Sequence, residues 1–166
     1  DNFEEQTQRI VREIEARMGE LVDLRRQIHA NPELSHKEFQ TTALMRERLR
    51  HLGLDVKVRA EGTGLMADLV PPGFDPGVHP TVAIRAELDA LPIEELNEVE
   101  YRSQNPGVMH ACGHDVHTTC VFGASMALQT LESPLPGRVR FLFQHAEEIA
   151  HSGSTQMIEF GALEGV

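Results

Sequence analysis

Cysteine is scarce in this chain. Cys112 and Cys120 are the two it has, too few and too close together for a disulfide framework, so they are read as reduced thiols or as metal ligands. Positive charge is short as well: 15 Lys and Arg stand against 26 Asp and Glu, a formal net charge of −11. That balance argues against nucleic-acid and anionic-membrane partners, both of which want a basic face. No apolar run approaches the length that crosses a bilayer, and residues 1–30 lack the charged-then-apolar pattern of a secretory signal. A soluble, cytoplasmic protein is expected on these grounds. Internal repeats and low-complexity segments are lacking too. What is present is ordinary for a globular chain, 40% hydrophobic and 25% charged residues, and 166 residues bury about two thirds of the unfolded surface, enough for one core.

One stretch departs from that ordinariness. Residues 107–117 read GVMHACGHDVH and hold His110, Cys112, His114, Asp115 and His117. A thiol and an imidazole two residues apart can face one ion if the backbone turns between them, and Gly113 tolerates such a turn. A metal site is the first expectation.

The rest of the chain is organised around it. Ile10, Val11, Ile14, Met18, Leu21, Val22 and Ile28 recur at helical spacing with charged residues opposite, predicting one amphipathic helix that ends at Asn31-Pro32. Ser35 followed by Glu38 reads as a capping box for a second helix running to Gly53. The period then becomes two: 54–58 and 65–70 are strand-like, joined by the Gly62/Gly64 turn. After the Pro/Gly-rich loop 71–77, residues 81–84 read as a strand buried on both faces. Residues 118–131 are apolar nearly all round and predict a buried helix, 138–144 a buried strand, and roughly 154–160 a last short helix. This order fits an α/β domain, a central mixed sheet flanked by helices. Ligands of such sheets lie beyond the carboxyl ends of the strands, and there fall Glu87 and Asp89, Cys112 and His114, and Glu147 and Glu148.

Four segments in series carry a resemblance: 25–34 (RRQIHANPEL), 85–92 (RAELDALP), 109–117 (MHACGHDVH) and 143–148 (FQHAEE). Together they resemble the aminoacylase/carboxypeptidase-type amidohydrolases of the M20 metallopeptidase family, in the branch with hippurate and auxin-conjugate hydrolases. The resemblance implies a zinc-exopeptidase-like catalytic domain with two divalent ions per site in the full enzyme, zinc by preference for the thiolate, with manganese, cobalt or nickel admitted by the carboxylates. Cys112, His114 and Glu148 would be metal ligands, Glu147 the general base for a metal-bound water, and Asp89 the aspartate supporting the site. Adjacent on an extended backbone, the two glutamates would point in different directions, one to the ion and one to the water. The substrate would be an N-acyl amino acid or small peptide, and the full-length enzyme could be a homo-oligomer. Relatives continue past this point through a lid or dimerisation domain and further ligands, so residues 1–166 are read as the amino-terminal part of the catalytic domain.

The chain departs from the family at Glu87, usually aspartate, at His145, usually proline, and at residues 151–154, usually a glycine-rich turn. His110 and His117 read either as groups supporting the metal site or as helix caps, and His29 and Glu33 as residues holding the first helix against the sheet. Two other functions remain open: a metal-binding fragment without turnover, and a cysteine hydrolase pairing Cys112 with His114. The second is the weaker, because neighbours in sequence rarely reach in-line geometry and it leaves Glu147 and Glu148 without a role.

Overall fold

Strand β4 (Arg138–Gln144) lies in the middle of the sheet because its alternating side chains are wanted on both faces. Phe141 and Phe143 point to one side and are fully buried, while Leu142 joins Met66, Met157 and Ala162 on the other. In this computed structural model, which describes residues 2–131 and 134–166, β1 (Asp55–Val58) and β2 (Leu65–Leu69) form an antiparallel hairpin, β2 pairs antiparallel with β4, and β3 (Thr81–Glu87) pairs parallel with β4. The order β1-β2-β4-β3 makes the sheet mixed, as expected. Opposite Asp68, Arg140 makes a buried two-pronged ion pair (Nε to Oδ1 and Nη2 to Oδ2, both 2.8 Å), and its other amino group donates to the carbonyls of Gly161 and Ala162.

Helices cover both faces. α2 (Met18–Ala30) and α4 (His114–Leu128) lie on the Phe141/Phe143 side with α3 (Phe39–His51), while α5 (Gly153–Glu159) closes the Leu142 side. The long first helix is in fact two, α1 (Asn2–Ala16) and α2. At Arg17 the backbone leaves helical values (φ −110°, ψ 13°) and its N–H is shared between the carbonyls of Glu13 and Ile14.

Three further expectations change. Strand β3 is not buried on both faces: it is an edge strand among the described residues, and Val82 is 58% exposed. The capping box is not made. Ser35 donates to Asp89 instead, Glu38 makes no cap bond to its helix, and the first-turn amides of Gln40 and Thr41 are taken by Glu33. The Glu33 side chain thus caps α3, while its carbonyl accepts the Ala90 N–H at 2.8 Å and ties the segment after α2 to the chain just beyond β3. Finally, α4 begins at His114, four residues before the apolar run suggested, and Val116 and Cys120 face out from it.

Candidate metal centre

The parallel pair β3 and β4 ends in register, Glu87 beside Gln144, and the Leu88 N–H donates to the Gln144 carbonyl, so both chains leave the sheet side by side. The residues just beyond the two strands therefore meet: Asp89 after β3, Glu147 and Glu148 after β4. The third contribution comes from the start of α4. Gly113, at φ 96°, occupies the left-handed region and turns the chain between Cys112 and His114.

His114 is oriented by Asp89. Its Nδ1 donates to the Asp89 carbonyl at 2.8 Å and lies 3.4 Å from Oδ1, which leaves Nε2 toward Glu148 Oε1 (3.7 Å) and Glu147 Oε2 (3.8 Å). A lone pair facing two carboxylates is reconciled by a proton or by a cation between them. Burial alone would lower the His114 pKa, but its bonds to Asp89 and the surrounding carboxylates raise it above the ordinary imidazole value. Burial alone would raise Asp89, yet donation from His114, the Glu148 N–H (2.9 Å) and Ser35 (2.7 Å) holds it well below the usual carboxylate range.

Cys112, His114 and Glu148 each offer a ligand atom within 4.8 Å of the others. Two observations fit a cation among them. Glu148 Oε1 is buried without a hydrogen-bond partner, a condition that costs free energy unless something positive meets it. The exposed Cys112 thiol is pushed up in pKa first by the Glu148 carboxylate beside it and further by the charges of Glu147 and Glu87. That environment opposes a free thiolate, the nucleophile a cysteine hydrolase needs, and a divalent ion reverses it. Glu147, with 39% of its side chain exposed against 19% for Glu148, is the more open of the pair. The two do not diverge from an extended strand as expected. Ala146 turns the chain at φ 48°, and both carboxylates approach the same imidazole nitrogen.

A second group, Glu87, His114 and His117, meets the same distance limit. Its donors are already matched: Glu87 accepts from His117 Nδ1 and pairs with Arg85, both at 2.8 Å. His110 is buried with neither ring nitrogen bonded, and burial pushes its pKa down to about 4, so it is a neutral ring packed near His29. His29 meets α4 and the long loop rather than the sheet, through Asp115 Oδ2 (2.7 Å) and Glu95 Oε1 (3.1 Å), and Arg25 reaches the same Asp115 oxygen at 2.8 Å. His145 is enclosed by Arg59 and Gln156.

Sequence reasoning misses Ser35 and Glu38 as parts of this assembly, since both carry only the local pattern of a cap. Asp115, a member of the 107–117 cluster, turns instead to His29 and Arg25.

Residues 83–166 match the profile of Peptidase family M20/M25/M40, and the chain belongs to that family. A probable hydrolase of Synechocystis sp. is 49% identical over 146 residues, covering 88% of this chain and 36% of the relative. An N-acyl-L-amino acid amidohydrolase of Geobacillus stearothermophilus is 43% identical over 162 residues, 98% of this chain and 42% of its own length. Among solved structures, a dinuclear metal binding peptidase of the M20 family from Bacillus subtilis superposes with a TM-score of 0.84 at 39% identity, covering 92% of this chain and 41% of that one. This chain thus spans about two fifths or less of the relatives it matches.

Proposed function

We propose that this chain is the amino-terminal part of a metal-dependent amidohydrolase centre that cleaves the amide bond of N-acyl amino acids or small peptides. The observation that carries the reading is the unpartnered Glu148 Oε1 beside the Cys112 thiol and His114 Nε2. Cys112, His114 and Glu148 would hold a divalent ion, zinc by preference for the thiolate, with manganese, cobalt or nickel admitted by the carboxylates. When bound, such an ion polarises a carbonyl and lowers the pKa of water to about 7. The chain's own residues do the rest. Asp89 fixes the His114 ring so that Nε2 faces the site, and Glu147 takes the proton of the attacking water on its carboxylate and passes it to the leaving amine nitrogen. The substrate class is supported by the name of the Geobacillus relative, and a pair of ions by the Bacillus subtilis structure, itself described as dinuclear. No helix among the described residues is long and apolar enough to cross a membrane, and we place the protein in the cytoplasm.

A second reading, metal binding without turnover, is favoured by the 36% share of the Synechocystis relative that this chain spans. Elemental analysis of the purified chain, with hydrolysis of N-acetyl amino acids assayed before and after chelation, separates the two. The expected result is a bound ion and turnover lost on chelation. Bound ion without turnover selects the second reading, and turnover that survives chelation but not thiol alkylation sinks both. Glu147→Gln is expected to abolish hydrolysis and keep the ion; loss of the ion would reverse the two glutamates.

A further inference from the structure

We propose that the turn at residues 33–38, between α2 and α3, is the positioning element of the metal centre, with Ser35 and Glu38 setting the backbone of residues 146–148. The inference rests on the metal reading above for its consequence but not for its geometry.

Glu38 is completely buried, and no cation is among its partners. Its Oε1 accepts two backbone N–H groups, from Ala146 at 2.8 Å and His36 at 3.1 Å, while Oε2 has no partner at all. Enclosing a carboxyl group on those terms is costly, so its place in the fold is explained by what Oε1 holds. It does not hold its own helix, since Glu33 takes the first-turn amides of α3. It holds a residue 108 positions away.

That residue is the one in the strained position. Ala146 sits at φ 48°, a left-handed backbone that costs an L residue with a Cβ free energy unless its surroundings enforce it. Two residues on, the Glu148 N–H is held by Asp89 Oδ2, the same oxygen to which Ser35 Oγ donates. The segment bearing Glu147 and Glu148 is therefore pinned at Ala146 by Glu38 and at Glu148 by the Ser35–Asp89 pair. His36, itself at φ 64°, folds its own turn around the Glu38 carboxyl. Because Asp89 also orients His114 through its carbonyl, one short turn sets two of the three ligand positions.

The test uses Glu38→Met, which keeps the length of the side chain and removes the acceptor, Glu38→Gln, which keeps the acceptor without the charge, and Ser35→Ala. Amide hydrogen exchange is read by NMR on the metal-free chain, and cobalt(II) titration is read by the absorption band of its bond to the Cys112 thiolate. In Glu38→Met the Ala146 N–H is expected to lose about tenfold or more of its protection while β2 and β4 keep theirs, and the cobalt dissociation constant to rise about 10–100-fold. Glu38→Gln is expected to restore both to within about threefold of the parent. Ser35→Ala is expected to expose the Glu148 N–H selectively, and it carries the test if Glu38→Met does not fold. Unchanged protection at residues 146 and 148, or loss spread evenly over the sheet, overturns the proposal. If the parent chain binds no cobalt, the metal reading falls while the exchange pattern still decides the positioning role.

Discussion

Glu38 is also a residue whose titration should be visible in the stability of the chain. Burial first of all, and then the nearby charge of Asp89, raise its pKa from 4.5 to about 7 against the lowering effect of the bonds from Ala146 and His36. Between those values the unfolded chain gives up the proton that the folded chain keeps. Stability contributed by this group is therefore full below pH 4.5 and falls as pH rises toward 7, by about 3–4 kcal/mol in all if the shift is converted at 1.4 kcal/mol per unit. Asp89 works in the opposite sense and in another window. Its depressed pKa contributes stability above its ordinary value of 3.8 that is lost as pH falls further. Urea unfolding of the metal-free chain at pH 5 and pH 8, parent against Glu38→Gln, isolates the first effect: the Gln variant is expected to lack that part of the decline. Parallel pH profiles for the two proteins would show that Glu38 titrates normally.

At the level of turns and helices, two glycines flank the site and differ in why they are glycine. A Cβ on Gly113 would meet nothing within 4 Å, so Gly113→Ala pays only for the left-handed backbone, about 1 kcal/mol. A Cβ on Gly153 would lie 2.0 Å from the His145 carbonyl oxygen, so Gly153→Ala must displace the turn that carries Glu147 and Glu148. It is expected to cost more, about 3 kcal/mol, and to weaken metal binding as well. Urea midpoints order the two, and a larger loss at Gly113 would contradict the packing argument. The same elements show what the sequence can reveal. Period-two runs locate β2 and β4, and the density of thiol and imidazole locates Cys112 and His114, because both are signals within a few residues. Strand order is not such a signal, so the edge position of β3 and the exposure of Val82 cannot be read from 81–84. Ser35 and Glu38 read as a cap because Ser-x-x-Glu has that local meaning, whereas their partners lie 54 and 108 positions away.

For the molecule as a whole, an ion held by Cys112, His114 and Glu148 would tie the start of α4 to the turn after β4, two parts of the chain joined otherwise through Asp89. Such a tie exists only in the folded chain. A ligand at 100 times its dissociation constant then stabilises the fold by about 2.7 kcal/mol, less whatever the unfolded thiol and imidazole groups bind. Charge adds a competing effect, since any divalent cation relieves the self-repulsion of a chain with net charge −11. The two effects part on chemistry. Screening is indifferent to the ion, whereas a site with thiolate and imidazole donors takes zinc or cobalt in preference to magnesium, which asks for oxygen ligands and keeps its water. Thermal unfolding of the chelated chain should therefore shift upward with zinc and barely move with an equal concentration of magnesium, and Cys112→Ser should lose most of the zinc shift. Equal shifts with the two ions, or a zinc shift that survives Cys112→Ser, would mean that the cation acts on the overall charge and that these three residues do not hold it.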